Sequence, residues 1–550
     1  FYYYLIKPQE YWKNRGVPGP KPIPIFGNFF RLTFARISIG DLMTKFYKEY
    51  KHEPVFGLYM RNVRVLAINN PDLIKTVLIK DFSKFAHRGL ALNEVTEPLS
   101  QHLFVLEPKR WRPLRTKLSP IFTSGKLKDM FSLIIECSNT LENYVEHLIS
   151  KNDRVEVRDL AAKFTTDVIG SCGFGVDMNA MSDVQCKFRD IGREFFGPSF
   201  KQILKIRLRE NLPRLYTFLG YILPRDETTT FFTNVVLDMI KYRKTNDIYR
   251  PDFINALINI QNHPEKLDID TELTDDLLAA QAYIFFAAGF ETSSTTISNA
   301  LYELALNHDM QDKLREEIKE FEAKNDGEWR YETIKEMQYL GKIFGGETLR
   351  KYPALSFLSR ESIIDDYTFR DTKLTISKGT LVWIPVFPIH HDPNIYPDPE
   401  KFDPERFTED KIKERNLMHY FPFGHGPRNC IGARFAIYQT KIGLIKILRN
   451  YKVDVCSKTL IPYKYDPFSF ILVPLGGLYL KITRMKINKI ITNNIIVIVI
   501  AFYYYITARN NFWKIRGIPG PEPLPGFGNV LMIVLGKEAP FQFLTRVYNE

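Results

Sequence analysis

The sequence contains few cysteines, and no two of them lie close together. The five cysteines among 550 residues are Cys137, Cys172, Cys186, Cys430 and Cys456. An odd number at wide spacing, without a C-x-x-C pair, argues against a disulfide framework and favours a reducing compartment. Four of the five fit small buried apolar side chains. Cys430 differs because of the residues around it.

The sequence also lacks a long run of lysine and arginine, although basic residues are in excess. It has 75 Lys and Arg against 63 Asp and Glu, a net charge of +12. Without a concentrated basic run, this surplus does not indicate nucleic-acid binding. It fits a well-solvated surface, and it fits contact with an anionic membrane or an acidic protein. The hydrophobic content of 45% predicts a large buried core rather than disorder.

One segment of the sequence occurs twice. Residues 1–28 read FYYYLIKPQEYWKNRGVPGPKPIPIFGN, and residues 502–529 read FYYYITARNNFWKIRGIPGPEPLPGFGN. A single recurrence near the end of the chain differs from a solenoid, whose units recur every few tens of residues. The repeat predicts that a second copy of the preceding domain begins here. A genuine fusion and a gene-model artefact both explain such a copy.

The segment that precedes the second occurrence has the pattern of a signal anchor. Basic residues after Met485 are followed by an apolar stretch at 490–506, which is close to the shortest length for a membrane span. A buried strand is the alternative. The sequence thus predicts the remnant of an anchor and linker at 1–17, a main domain at 18–484, a second anchor at 485–517 and a truncated domain start at 518–550.

Hydrophobic periodicity predicts a mostly α domain with a smaller β-rich region. Residues 54–70 alternate in the manner of a strand pair. Helical periodicity runs through residues 126–150, 156–170, 274–305, 309–323 and 432–449. Residues 361–390 are strand-like, with a turn at Gly379. Residues 392–430 are rich in Pro, Gly and Asn and predict a long irregular segment, of a kind that is usually functional.

The segment around Cys430 reads FPFGHGPRNCIGA at residues 421–433. Gly426 and Gly432 permit a tight loop that approaches a flat ligand closely. A helical pattern starts directly afterwards, and a helix N-terminus stabilises a thiolate. Arg428 carries a charge suited to a carboxylate. A phosphate loop is a poor alternative because no Lys-Ser/Thr pair follows, but a buried structural cysteine remains open on the thiol alone.

Five positions in this segment resemble a known signature. Phe423, Gly426, Arg428, Cys430 and Gly432 match the F-x-x-G-x-R-x-C-x-G haem-binding motif of the cytochromes P450. The resemblance implies that Cys430 ligates the haem iron. It also implies that Phe423 shields the sulfur and that Arg428 pairs with a haem propionate.

Other motifs extend the resemblance over residues 1–484. Glu347 and Arg350 resemble the family's E-x-x-R pair, and Arg406 lies in a P-E-R-F motif that completes its network. Trp111 and Arg115 match the W-x-x-x-R motif, whose spacing places both on one helix face. The resemblance implies that they reach a propionate. Arg88 and Arg360 lie where microsomal members of the family place further propionate contacts.

The predicted long helix carries the sequence A-G-F-E-T-S at 288–293, which resembles the family's oxygen-activation motif. Small residues at Ala288 and Gly289 leave room for dioxygen. The resemblance implies that the Thr292 hydroxyl donates a hydrogen bond during oxygen activation and that Glu291 relays protons. A helix kink is the alternative explanation for these polar and small residues.

The resemblance implies a cytochrome P450 fold and a monooxygenase with haem b, fed by NADPH through a flavoprotein reductase, with a cytochrome b-type protein as a second donor. It places the enzyme on the cytosolic face of the endoplasmic reticulum membrane, among microsomal enzymes that include those of insect detoxification. Segments 89–108 and 195–235, with Phe195, Phe196 and Phe200, predict a hydrophobic small-molecule pocket. A peroxide-rearranging haem enzyme and a non-catalytic apolar-ligand binder are the alternatives.

The sequence departs from the family pattern at one place. The family has five residues between a Tyr-Leu pair and the glutamate of E-x-x-R, whereas six residues separate Leu340 from Glu347. Adjacent glycines, Gly345 and Gly346, weaken a helix there. Either a bulge absorbs the extra residue or a splice boundary is misplaced, and a true insertion puts haem incorporation in doubt.

Overall fold

The computed structural model describes residues 7–485, with gaps at 35, 183–185, 197–204, 206–207, 210–211, 264–272 and 371, together with residues 505, 516–517 and 540–549. The chain divides into two compact units, Phe1–Thr483 and Arg484–Glu550. The predicted anchor remnant at 1–6 and most of the predicted second anchor lie outside the described residues. In the described part of the second unit, Pro540–Asn549 forms a helix.

Helices dominate the first unit, as the periodicity predicts. The α-helices are α1 (Phe30–Thr33), α2 (Ile39–Tyr50), α3 (Pro71–Lys75), α4 (Pro108–Leu118), α5 (Ser124–Lys151), α6 (Val157–Ile169), α7 (Lys187–Phe196), α8 (Pro213–Ile222), α9 (Glu227–Thr245), α10 (Phe253–Asn262), α11 (Asp275–Leu306), α12 (His308–Lys324), α13 (Gln338–Leu340), α14 (Leu349–Lys351), α15 (Val386–His390), α16 (Glu409–Glu414) and α17 (Ala433–Asn450). All five predicted helices are confirmed.

The strands form three small sheets. Their bounds are β1 (Val55–Met60), β2 (Val63–Ile68), β3 (Arg154–Glu156), β4 (Leu358–Glu361), β5 (Tyr367–Thr368), β6 (Thr375–Ile376), β7 (Leu381–Ile384), β8 (Tyr451–Asp454) and β9 (Tyr479–Arg484). The sheet orders are β1-β2-β7-β4, β3-β9-β8 and β5-β6. The predicted strand pair is confirmed as antiparallel β1 and β2, in which Val55 pairs with Ile68.

The central element of the first unit is α11. Its first turn is fixed by Thr274, whose hydroxyl accepts a hydrogen bond from the Leu277 amide at 3.1 Å, and by Asp275 and Asp276 beside the positive end of the helix dipole. Most of α11 is buried and packs against α6, α9 and α17. The packing explains why this helix is apolar around most of its circumference.

The extra residue before the E-x-x-R motif is accommodated in a π-helical segment, Gly341–Thr348, between α13 and α14. A π turn holds one residue more than an α turn and so absorbs a single insertion without displacing the helix that follows. Of the two explanations for the departure, the structure has the bulge. Glu347, near the end of this segment, and Arg350, in α14, face each other, as described below.

No described helix combines the length and apolar character that a membrane crossing requires.

Candidate functional site

The loop that carries Cys430 is held by its backbone. The Cys430 amide donates to the Phe423 carbonyl at 2.9 Å, closing the loop over seven residues. Gly426 has a positive φ of 76°, and a Cβ there would meet the Leu78 carbonyl oxygen at 1.9 Å. Both the conformation and the close approach therefore require glycine. α17 begins at Ala433, directly after the loop, as the sequence predicts.

The residue Cys430 is accessible by its surface area, yet its thiol is surrounded by protein atoms. Burial raises the pKa of this thiol, while the Gly432 amide and the nearby Arg115 and Arg88 guanidinium groups lower it. An accessible residue whose thiol is surrounded by protein atoms faces an internal cavity. The net effect is a raised pKa, and the lowering contributions offset part of the cost that burial places on the thiolate, the form that binds a metal.

Four arginines surround the approach to Cys430. Arg88 donates to the Arg428 carbonyl at 2.9 Å, and Arg115 donates to the Asn429 carbonyl at 3.2 Å. Arg428 is buried with its guanidinium 4.2 Å from the centre of the Trp111 ring. Arg360 is also buried. Among the described residues, no carboxylate lies within 4.0 Å of any of the four guanidinium groups.

Burial without an anion lowers the pKa of these arginines. The pKa of Arg428 falls to about 9 and that of Arg360 to about 10, in both cases mainly by burial. The Nε atoms of Arg88 and Arg360 are buried and have no hydrogen-bond partner. Buried charges are normally paired. The cluster therefore fits a dianionic group that lies against the Cys430 thiol, and the two propionates and iron of haem meet this requirement.

The E-x-x-R network is fully buried. Arg350 donates to both Glu347 carboxylate oxygens at 2.7 Å, and Arg406 Nε lies 3.4 Å from Glu347 Oε1. Arg350 also donates to the carbonyls of His390 and Pro399 at 2.9 and 2.7 Å. Because every charge has further partners, the network offsets the cost of desolvation. The structure brings together the three residues that the sequence assigns to it.

The oxygen-activation motif on α11 divides between two faces of the helix. Ala288 is exposed and Thr292 half-buried, and the Thr292 hydroxyl donates to the Ala288 carbonyl at 2.7 Å. Glu291 is buried and pairs with Arg158 of α6. A Cβ on Gly289 would meet Ile169 at 2.4 Å. In the structure Gly289 permits α11 to pack closely against α6, and its role in leaving room for dioxygen stays a prediction.

Comparison with known proteins agrees with this geometry. The family model for cytochrome P450 matches residues 17–481. The chain belongs to the cytochrome P450 family. It is accordingly a monooxygenase with a haem-iron cofactor, and its mostly α fold is the fold of that family.

Several insect cytochromes P450 are similar to this chain over nearly their whole length. Probable cytochrome P450 6a14 of Drosophila melanogaster is 42% identical over 493 residues, which cover 87% of this chain and 96% of that protein. Cytochrome P450 6A1 of Musca domestica is 38% identical over 86% of this chain and 94% of its own length. Cytochrome P450 6k1 of Blattella germanica is 37% identical over 88% and 94%. The family match ends before the repeat at 502–529 and does not support a second copy.

The cytochrome P450 site also contains residues that the sequence motifs do not identify. His390 accepts a hydrogen bond from the Phe421 amide at 2.9 Å, at the start of the cysteine loop. The Tyr420 hydroxyl donates to the carbonyls of Gly345 and Gly346 in the π segment. Gln281 holds the segment around Leu103 to α11. An isolated amide within the apolar run of α11 was an available signal, because a buried polar group needs partners.

The structure describes the whole of the first predicted pocket segment, 89–108, but only part of the second, 195–235. Residues 89–107 form an irregular segment that contains one short 3-10 turn, Pro98–Ser100. The side chains of Phe195 and Phe196 and the whole of Phe200 lie outside the described residues. The apolar prediction for the second segment is supported by Phe231 and Phe232, whose rings contact each other on α9.

Proposed function

We propose that this cytochrome P450 inserts one oxygen atom of dioxygen into a hydrophobic small molecule, a xenobiotic or an endogenous lipid or hormone, with electrons from NADPH through a flavoprotein reductase. The observation that carries the proposal is the accessible Cys430 beside four arginines, two buried and two half-buried, that have no carboxylate partner among the described residues. A thiolate and two propionate sites in one cavity fit haem b. When bound, haem supplies the oxygen and electron-transfer chemistry.

The roles of the chain's own residues follow from their positions. The Cys430 thiolate would hold the iron, and the Gly432 amide and the Arg115 and Arg88 charges offset part of the cost that burial places on its charged form. The propionates would be held by Arg88, Arg115, Arg360 and Arg428, with Trp111 stacked on Arg428. The Glu347–Arg350–Arg406 network holds the segment that precedes the cysteine loop, and Phe423 closes the loop through its carbonyl.

The proton-delivery role needs a movement of one side chain. The Thr292 hydroxyl lies on the half-buried side of α11, while the Glu291 carboxylate is paired with Arg158. Glu291 therefore delivers protons toward Thr292 only after the carboxylate leaves Arg158. General acid–base catalysis requires this contact because donor and acceptor have to come within hydrogen-bond reach.

The first test is a reduced carbon-monoxide difference spectrum of the full chain. We expect a strongly red-shifted Soret band from thiolate-ligated haem, and its loss in Cys430→Ala. Cys456→Ala, which changes a half-buried cysteine outside the site, is the control. A band typical of imidazole-ligated haem in the unaltered chain contradicts the assignment of Cys430. The absence of bound haem favours a non-catalytic apolar-ligand binder.

The electron source is tested separately. We expect product formation from a hydrophobic test substrate to require NADPH and a flavoprotein reductase, and a cytochrome b-type donor to raise the rate. Turnover of an organic peroxide without NADPH or dioxygen, and none with them, favours the peroxide-rearranging alternative. The Glu291–Thr292 pair supports the monooxygenase, since such a rearrangement needs no proton delivery.

We also propose the membrane location and the four-part division of the chain. A cytosolic-face endoplasmic reticulum location is supported by the basic surplus and by the anchor pattern of the sequence. It predicts recovery in the microsomal fraction and digestion by protease in intact microsomes. The division at 1–17, 18–484, 485–517 and 518–550 is supported by the repeat. Sequencing of the transcript across residues 470–530 tests it: a continuous transcript supports a genuine fusion, and a transcript that stops before Met485 supports a gene-model artefact.

A further inference from the structure

Gln281 is a fully buried amide in the apolar first half of α11. Its Oε1 atom accepts a hydrogen bond from the Leu103 amide at 2.9 Å. Its Nε2 atom donates to the Gln101 carbonyl at 2.7 Å and to the Leu277 carbonyl at 2.9 Å. One side chain thus ties two backbone groups of the irregular segment 89–107 to the central helix, with all of its polar atoms in use.

The same segment also contacts the candidate haem site. Arg428 donates to the Leu106 carbonyl at 2.7 Å and to the Leu103 carbonyl at 3.4 Å. The half-buried Phe104 lies between these residues, with its ring centre 4.0 Å from the Arg88 guanidinium. Phe104 therefore stands beside the arginines that surround Cys430, and its position depends on how residues 101–106 are fixed.

A third set of contacts joins the segment to α8. The Tyr216 hydroxyl donates to the Glu97 carboxylate at 2.8 Å, and the Thr96 hydroxyl donates to the Tyr216 carbonyl at 3.0 Å. These hydrogen bonds are partly buried, whereas the one between Gln281 and the Leu103 amide is buried. Water competes for the partly buried contacts and not for the buried ones. The amide of Gln281 is the more rigid attachment.

We propose that Gln281 is a positioning residue that determines which substrates fit, because it fixes residues 101–106 and hence the wall that Phe104 forms beside the Cys430 cavity. The inference rests on the proposed function, since it assigns a determinant of substrate size at that site. Loss of the amide frees Leu103 and Gln101 and lets the wall shift. Bulky ligands, which contact the wall, lose affinity, while a small ligand of the iron does not.

The chain offers a matched control in Gln311. This amide is also fully buried, accepts from the Val453 amide at 3.0 Å and donates to the carbonyls of Leu304 and Val453 at 2.8 and 2.9 Å. It joins α12 to β8, away from the cysteine loop. Gln281→Met removes three hydrogen bonds, and Gln311→Met removes the three equivalent ones together with a fourth that Arg315 donates to Gln311. Both substitutions change the side-chain volume little, and they differ in the segment that is released.

Hydrogen exchange on the full chain tests the attachment. We expect the Leu103 amide to exchange about tenfold faster in Gln281→Met, a change that corresponds to about 1.4 kcal/mol, while the Val453 amide is unchanged. Gln311→Met has the reverse pattern. Unchanged exchange at Leu103 in Gln281→Met overturns the proposal.

Ligand binding to the haem-loaded chain tests the effect on specificity, with imidazole as the small probe and 4-phenylimidazole as the bulky one. In Gln281→Met we expect the ratio of the Kd of 4-phenylimidazole to that of imidazole to rise about tenfold. This rise corresponds to about 1.4 kcal/mol in the difference between the two binding free energies. Gln281→Asn, which keeps a shorter amide, raises the ratio less. Gln311→Met leaves it unchanged.

The outcomes separate this inference from the proposed function. If the unaltered chain forms the red-shifted carbon-monoxide band but the ratio is the same in Gln281→Met and Gln311→Met, the inference about Gln281 is wrong and the proposed function stands. If the unaltered chain forms no such band, the proposed function itself fails. Should Gln281→Met not fold, Gln281→Asn and its ratio decide the question.

Discussion

At the residue scale, His390 connects two parts of the site that the sequence treats as separate motifs. One ring nitrogen accepts from the Phe421 amide at 2.9 Å, and the other lies 3.2 Å from the Arg350 carbonyl. The ring is thus held as the neutral form, with one nitrogen accepting and one donating. Burial, with the charges of His391 and Arg350, lowers the pKa of His390 well below its usual value.

This lowered pKa predicts a dependence of stability on pH. Below about pH 6.5 the unfolded chain takes up a proton at His390 and the folded chain does not, so the folded state loses about 1.4 kcal/mol per pH unit on acidification. We expect His390→Gln, which retains one donor and one acceptor, to remove this part of the loss. Urea unfolding at neutral and acidic pH measures the difference between the two slopes.

The control for this prediction is His390→Leu. It leaves the Phe421 amide without an acceptor, so we expect a loss of about 1–3 kcal/mol at every pH. His391 and His102, whose pKa values burial lowers to about 3, contribute losses of the same sign in all three chains. An equal slope in His390→Gln and the unaltered chain would show that His390 is protonated in the folded state.

Glu291, a residue of the oxygen-activation motif, forms an ion pair with Arg158 in the structure. Its pairing with Arg158 predicts that Glu291→Gln affects both proton delivery and packing. We expect NADPH-dependent turnover to fall about a hundredfold, the usual contribution of a positioned acid or base. We also expect the solvent isotope effect on turnover to increase. Steady-state kinetics in H2O and D2O measure both.

Asp159→Asn is the control for Glu291→Gln. Asp159 directly follows Arg158 in α6 and pairs with Arg189 and Arg193. It is therefore a carboxylate beside the partner of Glu291 that does not lie on α11. We expect Asp159→Asn to leave the solvent isotope effect on turnover unchanged. If both variants lower turnover without a change in the isotope effect, Glu291 has only a structural role.

At the scale of elements, the π segment Gly341–Thr348 explains how the insertion is tolerated. The Tyr420 hydroxyl donates to the Gly346 carbonyl at 3.0 Å and also to the Gly345 carbonyl. These are carbonyls of a segment whose hydrogen bonding is weaker than that of an α-helix. A residue from the segment that precedes Cys430 thus supports the π segment that contains Glu347.

The two adjacent glycines of this segment give opposite predictions. A Cβ on Gly345 meets no atom within 4 Å, whereas a Cβ on Gly346 would lie 2.5 Å from Phe407 Cγ. We expect Gly345→Ala to stabilise the protein by about 0.5–1 kcal/mol through helix propensity. We expect Gly346→Ala to destabilise it by roughly 1–3 kcal/mol through overpacking.

Thermal unfolding of both variants measures these changes, and the carbon-monoxide spectrum shows whether the site still assembles. Deletion of Gly345 is the companion experiment, because it converts the π segment to the α spacing typical of the family. We expect the deletion to retain the spectrum. Loss of the spectrum on deletion would show that the helix depends on the bulge.

At the scale of the whole molecule, the net charge of +12 predicts how the rate of reduction by the reductase depends on salt. If the basic surplus attracts an acidic reductase, the rate of reduction falls as salt rises, because the screening length shrinks to about 8 Å at physiological ionic strength. Stopped-flow reduction at increasing NaCl measures this rate. Sucrose at equal osmolality is the control, since it does not screen charge, and a salt-independent rate contradicts the proposed docking.

The sequence predicted much of this molecule because its signals are local. The periodicity of α11 and the pattern of β1 and β2 each require only neighbouring residues. The loop around Cys430 was predicted to be tight and to precede a helix for the same reason, and the structure has both features. The insertion at Gly345 and Gly346 was visible in the sequence, but its outcome was not, since the choice between a bulge and a disrupted helix depends on Tyr420 and Phe407.

The sequence by itself therefore determined the family, the identity of the cysteine loop and the residues of the E-x-x-R network, because each is a fixed spacing of particular residue types. Only the tertiary structure decided that Glu291 pairs with Arg158, that Gly289 packs against α6 and that Gln281 holds residues 101–103. These contacts join residues far apart in the chain, and their partners are set by which helix faces meet. The spacing of residues along the sequence does not specify which faces meet.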